Sequence, residues 1–242
     1  RRSADLDLTG TEIVHEPDSV AAARRAVELV SSKQAQMLMK GIVSTGDLLR
    51  QVLDAEIGLR TGRLLSHVAV MEPMNYGRLL MMTDGGMIIA PTLAQKVDMV
   101  KNAISVARGL GIEQPKVAPL TAFEQVNPKM PATVDAEELR KLGEAGEFGN
   151  VLICGPMALD GAVNPEAAAH KGITHPVAGH ADILLVPFIE VGNVLYKSMV
   201  FFGQTKVAGI IVGARAPIVL TSRADSPEAK RNSIALASHL AV

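Results

Sequence analysis

Ile218-Val219-Leu220-Thr221-Ser222-Arg223-Ala224-Asp225-Ser226-Pro227 carries a strand, a turn and a helix start in one short stretch. Ile218, Val219 and Leu220 are a brief apolar run bounded by polar residues, the mark of a buried strand. Ser226 followed by Pro227 reads as an N-cap with proline at the first helical position, where a missing N–H is harmless. A strand that passes directly into a helix is half of a βαβ unit. In open α/β sheets, ligands bind in loops at the carboxyl ends of such strands.

The same alternation runs upstream. Val20, Ala23, Val27 and Val30 lie three or four apart behind the start signal Pro17-Asp18-Ser19, which predicts a helix. Gly46-Asp47 opens another, with Leu48, Leu49, Val52, Leu53 and Ile57 inward and an end near Gly58. Strands are expected over 67–71, 79–82 and 87–90, then a long helix from Leu93 to Ala107, stopped by Gly109 and Gly111. Strands over 117–120, 151–154, 183–186 and 208–212 then alternate with helices over 135–144, 165–171 and 193–202. The pattern predicts an α/β protein with a mostly parallel sheet and helices on both faces. No repeat or flexible linker interrupts it, so a second domain would be joined through the sheet or by crossing strands.

Of the 242 residues, 48% are apolar and 20% charged, which suits a packed globular protein. A net charge of −1 provides no basic field, so nucleic acid and anionic lipid are not expected partners. A single cysteine, Cys154, cannot make an internal disulfide, and this points to a reducing, cytoplasmic setting. Val151-Leu152-Ile153 ahead of it marks a buried packing residue rather than a nucleophile. No apolar run approaches the roughly 20 residues of a membrane helix, and Arg1-Arg2-Ser3-Ala4-Asp5 is not a signal peptide.

Several chemistries find no support. There is no P-loop, and Gly143, Gly146 and Gly149 follow a helix rather than a strand, unlike a dinucleotide fingerprint. His170, His175 and His180 are five apart and broken by Gly172, Pro176 and Gly179, so no metal set is expected. His67, in an apolar strand, reads as a satisfied core residue. The turn at Ser222 is different. Free N–H groups and the dipole at the start of its helix favour an anion, which Arg223 can grip through two N–H groups beside the Ser222 hydroxyl. The alternative is that Arg223 pairs with Asp225 while Ser226 merely caps the helix. Further polar clusters sit at strand-to-helix junctions: Lys40-Gly41 with Ser44-Thr45-Gly46, Gly155-Pro156 through Asp160, and Gly192-Asn193. Together they suggest the two sides of a cleft.

These pieces, taken in order, resemble the phosphate acetyl/butyryl transferases, with details closer to the butyryl branch. The likeness runs from about Gly10 to the end and includes Met39-Lys40-Gly41, Gly58-Leu59-Arg60-Thr61-Gly62, Ser66-His67, Thr83-Asp84 and Asn127-Pro128-Lys129-Met130. It continues through Gly155-Pro156-Met157-Ala158-Leu159-Asp160, Ala181-Asp182-Ile183-Leu184, Gly192-Asn193 with Tyr196-Lys197, and Thr221 to Ser226. The resemblance implies a two-domain fold like that of isocitrate and isopropylmalate dehydrogenases, with an interdomain cleft. Residues 1–65 and 208–242 would form one domain and 66–207 the other, usually within a homodimer.

The reaction so implied is acyl-CoA plus phosphate giving acyl phosphate plus CoA, reversibly, with no cofactor, metal or covalent intermediate. Ser222, Arg223 and Asp225 would then be catalytic, and Lys40, Ser44, Thr45, Gly155, Pro156, Asp160 and Asn193 would bind substrate. In the acetyl branch an aspartate taken as the base lies seven residues beyond the serine of this turn. Here that position is Ala229, and Asp225 is the nearest substitute. Phe188 likewise stands where that branch has an acid. Relatives carry further strand–helix units ahead of the Gly10 region, so a trimmed or fused chain is expected. Two rivals follow: a non-catalytic or CoA-binding domain of a longer protein, and a metal-dependent oxidoreductase of the same fold.

Overall fold

The computed structural model describes residues 9–221 and 225–241. Its centre is one eight-stranded sheet, in chain order β1 (Leu38–Met39), β2 (Ser66–Glu72), β3 (Leu80–Thr83), β4 (Lys116–Pro119), β5 (Leu152–Ile153), β6 (Ile183–Leu185), β7 (Lys206–Val212) and β8 (Ile218–Val219). The spatial order is β1-β8-β7-β2-β3-β6-β4-β5. The expected mostly parallel sheet holds on the flanks, where β1 pairs β8 and β3, β6, β4 and β5 pair in parallel. In the middle it gives way to a mixed sheet, because β2 is antiparallel to both β3 and β7, and β7 to β8. β2 and β7 form the longest ladder, from Ser66 opposite Val212 to Glu72 opposite Lys206.

Side-chain alternation along these strands builds cores on both faces. Val68, Val70, Met81, Ile183 and Ile210 point to one face, beneath α3 (Leu93–Gly109), α4 (Pro131–Glu144) and α8 (Pro227–Leu240). Ala69, Met71, Met82, Leu184 and Val207 point to the other, under α5 (Leu159–Val163), α6 (Pro165–His170) and α7 (Ile189–Phe201). A third cluster packs α1 (Ser19–Ser31) and α2 (Thr45–Val52) over Leu38, Ile211 and Ile218.

The predicted strand over 87–90 does not form. The Asp84 carboxylate accepts the N–H groups of Gly86 (2.7 Å) and Met87 (2.8 Å) and bends this segment into a turn. Ile89 O then accepts Ile189 N–H at 3.0 Å, so α7 starts a turn ahead of its expected beginning at Asn193 without a side-chain cap. α2 stops at Val52 rather than near Gly58, and α4 begins at Pro131, where proline occupies the first turn. The part of β7 that the short β8 does not reach bonds to a helix instead of a strand. Gly209 N–H donates to Ser233 Oγ at 2.9 Å and Asn232 Nδ2 donates to Val207 O at 3.4 Å, both from α8.

Candidate active site

α7, the start of α8 and β7 enclose a cavity of about 610 Å³. His67, Asn193, Tyr196, Asp225 and Ala229 are among the residues lining it. Each wall has a local cause. α7 can lie this close to the β3–α3 loop because Gly192 meets Gly85: a Cβ on Gly192 would stand 2.7 Å from Gly85 Cα and 2.8 Å from Asp84 O. Asn193 Nδ2 donates to Gly85 O at 3.2 Å and fixes the helix there. On the opposite wall Ser226 caps α8, its hydroxyl oxygen accepting Ala229 N–H at 3.1 Å. Buried Ser233 donates to Ala229 O at 2.8 Å while accepting from Gly209, which ties this first stretch of helix to β7.

The cavity lining mixes apolar side chains, among them Met82, Val200, Leu220 and Ala229, with ionisable groups. Burial, assisted by Asp225, pushes the Tyr196 phenol up to about 12, so it remains a neutral donor. Burial holds His67 below the usual imidazole value, while Asp84 and Asp225 oppose that shift. His67 is not the satisfied core residue that its strand suggests. Its Nδ1 is buried with no hydrogen-bond partner among the described residues. Asp84 beside it is 1% exposed and fully engaged, accepting from the backbone N–H groups of His67, Gly86 and Met87 at 2.7–2.8 Å. Lys197 stands exposed at the cavity rim.

The residues singled out from sequence separate into three groups. Asp225 and Asn193 meet at the cavity. Ser222 and Arg223 lie outside the described residues, while Thr221 and Asp225 on either side of them both line it. Lys40, Ser44 and Thr45 follow β1, whose end is bonded to β8 through Lys40 N–H and Val219 O at 3.0 Å, so this loop and the turn after β8 leave the same edge of the sheet. Lys40 Nζ donates to the carbonyls of Gly41 (3.0 Å) and Val43 (3.1 Å), and Ser44 caps α2, bonding Asp47 N–H and carboxylate. Exposed Thr45 opens that helix. Gly155, Pro156 and Asp160 sit on the far flank: Gly155 packs on Pro119, and Asp160 pairs with Lys171 at 2.7 Å. None of these six lines the cavity.

His67 and Tyr196 were missed as site residues by sequence reasoning, as was the contact of Ser233 with Gly209. A lone histidine in an apolar strand carries no signal of which groups surround it. Cys154 is half-buried against the core, and burial pushes its thiol up, away from nucleophilic behaviour. Among the described residues no three histidine, cysteine or acidic side chains gather as a metal site, and no helix is long and apolar enough to cross a membrane.

Residues 9–238 match the phosphate acetyl/butaryl transferase family. The chain is 52% identical over 236 residues to the phosphate butyryltransferase of Clostridium acetobutylicum, covering 98% of this chain and 78% of that one. It is 50% identical to the phosphate acetyltransferase of Thermotoga maritima, covering 90% and 74%. A branched-chain phosphotransacylase from Enterococcus faecalis V583 superposes with a TM-score of 0.88 at 46% identity, over 94% of this chain and 82% of that one. An α/β fold with a cavity beside a capped helix start, and this breadth of similarity, define the class. The chain belongs to the phosphate acetyl/butaryl transferase family.

Proposed function

We propose that this protein is an acyltransferase that moves a short acyl group reversibly between coenzyme A and inorganic phosphate. The observation that carries this reading is the cavity at the start of α8, with apolar side chains and polar groups lining one space. Phosphate at the α8 start gains from the helix dipole. Arg223 would hold it through a bidentate contact and stabilise the oxyanion formed as phosphate adds to the thioester carbon, with Ser222 donating a further hydrogen bond. The apolar lining residues suit the acyl chain, and exposed Lys197 suits the phosphates of CoA. Holding both substrates in line supplies the larger part of catalysis, since effective molarities of well-placed pairs reach about 10⁵ M or more.

An unperturbed thiol has a pKa of about 8.5, so only a few per cent of CoA is thiolate at neutral pH. The carboxylate of Asp225, at the cavity wall, can favour the loss of that thiol proton. The proposal extends to the chain's wider arrangement: lobes of 1–65 with 208–242 and of 66–207, a cleft between them, a cytoplasmic homodimer, and no cofactor beyond the two substrates. The Lys40 loop beside β8 supports a role for Lys40, Ser44 and Thr45 on the same side of that cleft. Gly155, Pro156 and Asp160 would serve the CoA side. Release of CoA from butyryl-CoA only when phosphate is added tests the reaction, and Arg223→Ala should abolish most of it with the fold retained. CoA release that ignores phosphate, or a fully active Arg223→Ala variant, sinks the respective assignment.

A further inference from the structure

One buried polar group at the cavity has no architectural role. The His67 ring sits in β2 between β3 and β7, with the backbone of Gly209 against its Nε2: a Cβ on Gly209 would come within 2.8 Å of that atom. Gly209 itself lines the cavity. Nδ1 has no partner among the described residues. A buried, orphaned ring nitrogen is costly, and in native proteins such groups call for an explanation. The charges around it suit an imidazole that takes up a proton for a short time. Asp84 from the β3–α3 loop and Asp225 from the turn before α8 both stabilise the imidazolium, while burial keeps the resting ring neutral. Among the described residues, the other ionisable groups lining the cavity are Tyr196 and Lys197 on α7, Lys206 at the start of β7 and Glu228 on α8. Ala229, on the wall opposite, contributes no acid or base.

We propose that His67 is a catalytic residue of this site, whose ring carries the proton that passes between a phosphate oxygen and the sulfur of CoA. The inference rests on the acyl-transfer reading above. Going from acyl-CoA to acyl phosphate, an oxygen of monohydrogen phosphate forms a bond to the thioester carbon. The ring takes the O–H proton from that phosphate. The carbon–sulfur bond then breaks, and the ring returns the proton to the departing sulfur, giving CoA thiol. In the other direction the thiol gives up its proton to the ring as sulfur attacks, and the proton leaves with phosphate. No proton or electron is left over in either direction.

His67→Gln keeps a polar side chain of similar length without an ionisable nitrogen. General acid–base catalysis contributes roughly 10²–10⁴-fold, so kcat for phosphate-dependent release of CoA from butyryl-CoA should fall by about 10²-fold or more. KM for both substrates should stay within about threefold, since the ring is assigned to proton transfer and not to binding. The fall of kcat/KM on the acid side of the parent's pH profile should vanish. His67→Ala, which opens space beside Gly209, should regain activity on addition of free imidazole. Titration of the His67 ring carbons by NMR in the parent provides a readout independent of any variant's folding, and it should follow the acid limb. If the parent shows no phosphate-dependent turnover, the acyl-transfer reading fails and this proposal with it. If the parent turns over and folded His67→Gln keeps its rate and acid limb, this proposal alone fails. A ring that titrates away from the acid limb overturns it too.

Discussion

Asp84 and His67 are neighbours, joined by the hydrogen bond from His67 N–H to the Asp84 carboxylate at 2.7 Å, yet the fold treats their side chains in opposite ways. The Asp84 carboxylate is buried with three backbone donors around it, and through them it closes the loop against which α7 docks. The His67 side chain is only half-buried, but its buried Nδ1 has no partner among the described residues. A buried carboxylate with its lone pairs used is part of the architecture. A buried ring nitrogen without a bond, on a residue that lines a cavity, is a group held ready for something that arrives later. Asp182, across the sheet, falls on the Asp84 side of this contrast: it is 7% exposed, accepts Lys116 N–H at 2.9 Å and is paired with Arg78 at 3.4 Å.

The largest stability effect should come from breaking the architectural member. Asp84→Ala leaves buried N–H groups unmet and should cost about 3 kcal/mol or more, read as a lowered urea midpoint. A variant as stable as the parent would erase the contrast. Gly192→Ala forces a methyl against backbone on the neighbouring loop. It should cost about 1–3 kcal/mol, with a loss of activity beyond the loss of fold as the cavity wall shifts. Ser226→Ala removes the cap of α8 and should cost about 1 kcal/mol in a thermal melt. No change there would mean that the Ser233 and Asn232 contacts with β7 alone set where α8 begins.

The smallest effect sharpens the other side of the comparison. Burial lowers the His67 pKa in the folded protein, so below the ordinary value of about 6.5 the unfolded chain binds a proton that the fold resists. Stability from this group is complete above about pH 6.5 and is lost as the pH falls beneath it. The melting temperature should therefore decline on acidification from pH 6.5, with a shallower slope in His67→Gln. His175, also lowered by burial, leaves a residual slope in both proteins. An unchanged slope in the variant would mean that the fold leaves the His67 pKa at its ordinary value.

Most helices were legible because each has a local cause. Ser226-Pro227 set the start of α8 and Pro17-Asp18-Ser19 that of α1, where Asp18 accepts the N–H groups of Val20 and Ala21. Failures fell where a contact that apolar periodicity does not record decided the outcome. Ile89 supplies the first bond of α7, and Asp84 bends the segment at 87–90 that its apolar residues would have made a strand. β1, only two residues long, exists through its pairing with β8. Of the candidate site, Asp225 and Asn193 were chosen from loop position and resemblance, and they do meet at the cavity. Lys40, Ser44, Thr45, Gly155, Pro156 and Asp160 came from the same reasoning and stand at other strand-to-helix junctions of the sheet, outside the lining of this cavity.

By itself the sequence determined the α/β class, the family and the stretch from Thr221 to Ser226 as the place to look. Apolar periodicity, caps and motif order are properties of neighbouring residues, and they survive without any knowledge of packing. Only the tertiary structure decided that β2 and β7 run antiparallel through the centre of a mixed sheet, and that α7 and α8 close a cavity over it. It alone distinguished Asp84 from His67. Whether a buried polar atom is satisfied depends on donors and acceptors that distant segments bring to it, and no local pattern records that.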